Sequence, residues 1–168
     1  MSRTAPSSKT TTETTTTFPK ILVPHDGTEA SDKALDKAIE FAKALNSEII
    51  LLNVVDDRFV PPSATLAFLS EKSPLEDAKI QIVILLKQAA EGMLKDRITK
   101  AASQGAKIRH MLAVGSPADE IVAIANNEKA SMIIMGSRQL TAKEKIKALG
   151  SVARRVSEIS AVPVMIVN

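Results

Sequence analysis

Two glycine–serine steps frame the residues best suited to chemistry. Gly136-Ser137 closes a short apolar run, Met132 to Met135, and Gly150-Ser151-Val152 opens a segment with helical patterning. Between them lies a polar stretch, Thr141 to Lys147, carrying Lys143, Lys145 and Lys147. Glycine lets a backbone come close to a ligand, and the first N–H groups of a helix point at whatever sits before it. A strand, a glycine turn, a basic loop and a helix start therefore suit an anion. The same residues also read as two ordinary turns flanking a solvated loop. A second turn, Pro24-His25-Asp26-Gly27, ends another apolar run, Ile21-Leu22-Val23. Its aspartate is of the type that holds a turn through Asx hydrogen bonds.

The elements that must position these turns alternate in period. A strand is expected over Phe18 to Pro24. A helix is expected from Thr28 to Leu45, with Ala30, Ala34, Ala38 and Ala42 on one stripe extended by Leu35, Phe41 and Leu45. Glu48 to Val55 is a second strand, which makes a right-handed βαβ unit and a parallel pair. The connector Arg58 to Ser73 holds Pro61-Pro62 and the apolar Leu66, Phe68 and Leu69. Its length suits a mobile lid or binding loop. Ser73 caps and Pro74 opens a long helix to about Ser103, whose first half is apolar on more than one face, and Gly105 ends it. That helix is expected to be buried on one side and covered by the connector on the other.

Lys107 to Val114 is the third strand. Ser116 and Pro117 start a helix to Asn127, Ser131 to Met135 is the fourth strand, and a helix from Ser151 to about Ser160 leads to a fifth, Val162 to Val167. The order β-α-β-α-β-α-β-α-β predicts an α/β fold, an open doubly wound parallel sheet of five strands with helices on both faces. Ligands of such sheets bind outside the carboxyl ends of the strands, where the strand order reverses. The Pro24–Gly27 and Gly136–Arg138 turns would then face one crevice.

Composition bounds the partners. The chain has 168 residues with a net charge of +3, which argues for neither nucleic acid nor an anionic membrane. There is no cysteine, and the two histidines have no metal-ligand spacing. Trp and Tyr are absent, so a base-stacking surface is not expected. No apolar run approaches the roughly 18 residues of a membrane span, and no signal peptide is recognisable. A cytoplasmic location is the expectation. The Thr/Ser-rich residues 1–17 read as a disordered tail and 18–168 as one domain.

Four stretches together carry a resemblance over nearly all of 18–168. They are Ile-Leu-Val-Pro-His-Asp-Gly at 21–27, Gly115-Ser116-Pro117, Ile-Ile-Met-Gly-Ser-Arg at 133–138, and Gly150-Ser151-Val152 followed by Pro-Val-Met-Ile-Val at 163–167. The chain resembles the universal stress proteins. The resemblance implies an adenine-nucleotide-hydrolase-like sheet of strand order 3-2-1-4-5 and a homodimer joined through residues 162–167, which would cover an exposed sheet edge. It also implies ATP binding, with Mg2+, at the first- and fourth-strand loops, in a regulatory module whose ligand orders the 136–150 loop and biases contacts with an unknown protein partner.

The family's ATP signature is glycine, two residues, glycine, nine residues, glycine, then serine or threonine. Here Gly136, Ser137 and Arg138 match, Gln139 replaces the second glycine, and ten residues precede Gly150. A side chain at 139 intrudes on the phosphate path, and the extra residue restores reach. By match, Asp26 stands beside the ribose or a phosphate-bound metal, or is simply a turn residue. Val54 offers backbone hydrogen bonds to adenine. Gly136, Gly150 and Ser151 contact phosphates, Arg138 balances their charge, and the loop lysines are solvated. Pro24, Met135, Gln139 and Val152 complete the implied lining. His25 replaces a commonly uncharged residue and reads as incidental to the turn, with titration near the site as the other reading. His110 lies on a strand with no chemical role. No nucleophile–base pair, catalytic carboxylate pair or Walker phosphate loop is present, so at most slow ATP hydrolysis is expected. The other reading is a dimeric stress-response scaffold that binds no nucleotide.

Overall fold

The computed structural model describes residues 19–56, 58, 75–137 and 149–168. The elements are β1 (Lys20–Pro24), α1 (Glu29–Leu45), β2 (Glu48–Asp56), α2 (Leu75–Ser103), β3 (Lys107–Gly115), α3 (Pro117–Asn127), β4 (Met132–Gly136), α4 (Ser151–Ile159) and β5 (Val164–Val167). All strand pairs are parallel, in the order β3-β2-β1-β4-β5. The expected doubly wound sheet and its strand order are what the chain forms. The tail 1–17, most of the connector with Ser73 and Pro74, and the loop residues Arg138, Gln139, Lys143, Lys145 and Lys147 lie outside the described residues.

Successive side chains of a strand point to opposite faces, and here the two faces build two cores. Ile21, Val23, Ile49, Leu51 and Ile134 pack under α1 and α2. Leu22, Ile50, Leu52, Ile133 and Met135 pack under α3 and α4. The central strands are apolar on both faces, which is why they read as continuous hydrophobic runs.

Helix α1 starts where Thr28, in extended conformation, accepts a hydrogen bond from the Ser31 N–H. It ends where Asn46 turns left-handed at φ 50° and its N–H reaches the Ala42 carbonyl. Its buried stripe is Ala34, Leu35, Ala38, Ile39 and Ala42, whereas Leu45 is 53% exposed. The expected inward position of Leu45 is thus corrected: it is the last residue of the helix and its side chain is left in solvent. Ser116 occupies the cap position of α3 but makes no side-chain cap bond. The fifth strand is shorter than expected. Val162 is held outside it by its N–H to Ser160 Oγ at 3.1 Å.

Helix α2 spans 29 residues, about 43 Å, against about 30 Å for the nine residues of β3. Its C-terminal half buries Ala90, Leu94 and Ala101, while Ile80, Ile84 and Leu85 nearer its start are exposed.

Two residues shape the carboxyl edge. The His25 N–H donates to the Leu52 carbonyl at 2.8 Å, so odd-numbered residues of β1 aim their N–H groups at β2 and even-numbered ones at β4. Pro24 falls on the β4 side and has no N–H. The β1–β2 register accordingly runs to Pro24↔Leu52, while that with β4 is Ile21↔Met132 and Leu22↔Ile133. The strands part above that point. On the other side of the gap, a Cβ on Gly136 would collide with the Ala30 carbonyl carbon and oxygen. Only glycine lets α1 start so close to β4.

Gly136→Ala therefore destabilises the protein by about 1–3 kcal/mol, read as a lower urea midpoint with unchanged m. Gly92→Ala, on α2 with nothing within 4 Å of the added methyl, stabilises it by about 0.5–1 kcal/mol, read as a higher midpoint.

Candidate functional site

Above the parting of β1 and β4 lies a cleft of about 660 Å³, within the range of small-molecule sites, roughly 300–1,000 Å³. The structure brings nine of the expected site residues to it. Pro24, His25 and Asp26 come from the first turn, Val54 from β2, and Met135 and Gly136 from β4. Gly150, Ser151 and Val152 come from the start of α4. Arg138 and Gln139 lie outside the described residues. His110 is on β3, exposed and away from the cleft.

Three helices begin at this cleft, and their starts differ. α1 is capped by Thr28 and carries Glu29 and Asp32 in its first turn. α3 carries Asp119 and Glu120 there. α4 has Gly150 at the cap, no side-chain cap bond and no carboxylate in its first turn. The first N–H groups of any helix lack intrahelical partners and carry partial positive charge. Of the three, only α4 presents them without a competing side chain, so it is the end suited to an anion.

Across the cleft, Val54 is half-buried against the α3–α4 core. In a parallel ladder a residue's N–H and C=O point the same way. The Leu52 carbonyl faces β1, so the backbone of Val54 does too, at a level where β1 has already turned away. An amide edge aimed into a cleft offers one donor and one acceptor to a flat heterocycle.

The first turn is tied down by its own side chains. Asp26 Oδ1 accepts from the Thr28 N–H at 3.1 Å and the Thr28 hydroxyl at 2.6 Å. This is the Asx-type turn the sequence suggested. Reduced hydration in the turn pushes the Asp26 carboxyl up, and the Thr28 hydroxyl and N–H outweigh it, so its pKa stays below the ordinary value. Gly27 sits at φ +87°, where a side chain would be strained and would meet Met93 Sδ.

His25 is not incidental. It is 2% exposed. Its Nδ1 accepts from the Gly27 N–H at 3.1 Å, and its Nε2 lies 3.0 Å from Asp32 Oδ1. The acceptor role of Nδ1 assigns the proton to Nε2. Asp32 is gripped in turn by Arg97 of α2, Nε to Oδ1 at 2.6 Å and Nη2 to Oδ2 at 3.1 Å. The hydrogen bond from Arg97 is the largest influence holding the Asp32 carboxyl below its ordinary range.

Three contributors were missed by sequence reasoning. Asn53 donates Nδ2 to the His25 carbonyl at 2.8 Å. A lone amide inside the apolar run EIILLNVV was the available signal, since a buried polar group needs a partner. Leu86, Ala89, Ala90 and Met93 form an apolar wall on one face of α2, a stripe at i, i+3, i+4 and i+7. Asp56 lies at the rim with Arg58, whose hydrogen bond is the main reason its carboxyl is held low. Among the described residues, no group of three or more His, Cys, Asp or Glu could hold a metal ion.

The comparisons with known proteins agree on one family. The sequence profile of the universal stress protein family matches residues 17–168. Universal stress protein MJ0531 of Methanocaldococcus jannaschii is 37% identical over 151 residues, covering 90% of this chain and 82% of that one. The structure of MJ0577 from the same organism superposes with a TM-score of 0.66 at 32% identity, over 90% of this chain and 96% of that one. The universal stress protein of Archaeoglobus fulgidus in complex with dAMP shares the fold, with a TM-score of 0.61 at 21% identity over 90% and 98% of the two chains. The chain belongs to the universal stress protein family.

Proposed function

We propose that this protein is a regulatory module that binds an adenine nucleotide, ATP with Mg2+ by match to the family signature, in the cleft at the carboxyl edge. The observation that carries the reading is the uncapped, carboxylate-free start of α4 facing the backbone edge of Val54 across one cleft. Phosphates would take the N–H groups at Gly150–Val152, and the base would take the amide edge of Val54. Met135 and Ile121 supply apolar surface beside it. The dAMP complex of the A. fulgidus relative supports the ligand class. The described residues of the cleft supply positioning groups, and the module acts as a switch with hydrolysis at most slow. The cytoplasm is its expected compartment.

The homodimer is proposed through β5. The Pro163 and Val167 carbonyls accept from Ile133 and Ser137, so the alternation of the ladder turns the backbone groups of Val164 and Ile166 to the open edge. All four residues of β5 are only partly buried, and an apolar edge of this kind is a template for pairing. Ligand in the cleft, which abuts Gly136 at the end of β4, would reach the interface through the neighbouring strand and bias a protein partner.

Calorimetric titration of ATP, ADP and AMP with Mg2+ tests the site. Wild type binds ATP, Gln139→Gly binds it more tightly, and Ser151→Asp weakens it at least tenfold, about 1.4 kcal/mol. A carboxylate there suits the helix start yet repels phosphate, so Ser151→Asp retains the wild-type melting temperature. No heat from wild type or Gln139→Gly sinks the nucleotide reading and leaves the dimeric stress-response scaffold.

Light scattering tests the edge. Wild type has twice the 18.0 kDa chain mass. Ile166→Pro, which removes an N–H that β4 does not use, gives the monomer. A variant that stays dimeric places the interface elsewhere.

A further inference from the structure

The cleft's first wall hangs on a line of side chains that starts far from it in sequence. Arg97 lies on α2, packed against α1, and its Nη1 donates to the Met93 carbonyl at 2.8 Å. That bond fixes the guanidinium before it grips Asp32 with two parallel hydrogen bonds. A bidentate fork sets direction as well as distance. Asp32 then receives the Nε2 proton of His25, which leaves Nδ1 to hold the Gly27 N–H. Asp26, Gly27 and Thr28 follow as one turn, and Asp26 and Thr28 line the cleft.

We propose that Arg97 is a positioning residue for the cleft: through Asp32 and His25 it fixes the turn Asp26–Thr28, and it makes the shape of that wall depend on pH. The consequence for ligand rests on the nucleotide reading above, while the response of the turn does not.

The chemistry is short. Neutral imidazole has one donor and one acceptor, and both are in use. Protonation turns Nδ1 into a second donor, facing the Gly27 N–H at 3.1 Å. Two donors cannot share that line, so the turn must move or the ring must leave. The charged groups around the ring are Asp32 from α1, Arg97 from α2 and Asp26 from its own turn. β2 contributes the uncharged Asn53. Burial is the largest influence and holds the imidazole below its ordinary value of 6.5. The charge of Arg97 works in the same direction, and the bond to Asp32 works against it.

A base held below its unfolded pKa binds its proton more readily in the unfolded chain. The native turn is therefore fully favoured above about 6.5 and loses ground as pH falls from there toward the folded value. Asp32 acts in a separate window. Its carboxyl is held down from 3.8, so its contribution is present above that value and is lost only below it.

The test is the Gly27 amide resonance of the whole chain, followed from pH 7.5 to 4.5. In wild type it titrates with a midpoint below 6.5. In His25→Asn, whose amide oxygen keeps the acceptor without titrating, it stays still. Arg97→Gln, which removes a positive charge from the ring's surroundings, moves the midpoint upward, and Arg97→Lys restores it. A Gly27 resonance that is fixed in wild type, or that moves alike in His25→Asn, overturns the proposal. If His25→Asn does not fold, an unchanged midpoint in Arg97→Gln overturns it equally.

ADP affinity measured alongside separates the two readings. ADP binds wild type about three- to tenfold more weakly at pH 5.5 than at 7.5, beyond the drop seen in His25→Asn, where only the ligand's own phosphate titrates. Absence of both ADP and ATP binding at pH 7.5 counts against the nucleotide reading alone, because the Gly27 resonance still decides the role of Arg97.

Discussion

The parting of β1 from β4 is the constraint from which the rest of the carboxyl edge follows. A parallel pair stays zipped as long as each residue that faces its neighbour can donate and accept. Pro24 faces β4 and cannot donate. β1 therefore leaves β4 early while remaining bonded to β2 as far as His25. Helices α1 and α4 leave these strands on opposite faces, so the gap between β1 and β4 becomes a cleft rather than a packed corner. Gly136 sets its other limit by letting the start of α1 lie against the end of β4.

Within that gap, the helix starts divide the electrostatics. The positive end of α1 is spent on Thr28, Glu29 and Asp32, and that of α3 faces Asp119 and Glu120. α4 keeps its own open. The acidic groups around the cleft are each held by hydrogen bonds. Asp26 is bonded within its turn and Asp32 to Arg97. Asp32 is neutralised by Arg97 and Asp56 by Arg58, while Asp26, bonded only to Thr28, keeps its charge at the wall of the cleft away from the start of α4. At the opposite edge of the sheet, Lys20, Arg109, Glu48 and Glu128 satisfy one another at 2.5–3.0 Å, so those charges are already paired.

Much of this was legible in the sequence. Strands and helices follow from periodicities of two and 3.6, and the turns from Gly, Pro and Asp, all of which are local properties. Nine expected lining residues meet in one cleft because a doubly wound sheet sends every strand-to-helix turn to the same edge. What was illegible is non-local. His25 looked incidental because its partners Asp32 and Arg97 lie 7 and 72 residues further along, and nothing in a local pattern pairs them. Leu45 fits the apolar stripe of α1, but a stripe says which face a residue is on, not whether anything covers it at the end of the helix. Gly136 reads in the sequence as a phosphate contact, and its close approach to Ala30 shows a packing reason that depends on tertiary structure alone.

The central claim is tested most directly by a crystal structure of the protein grown with saturating ATP and Mg2+. The account predicts phosphate density at the N–H groups of Gly150–Val152 and the adenine edge against the backbone of Val54, with the Asp26–Thr28 turn unmoved. An empty cleft at saturation, or ligand bound at the charged edge near Lys20 and Arg109, would contradict it.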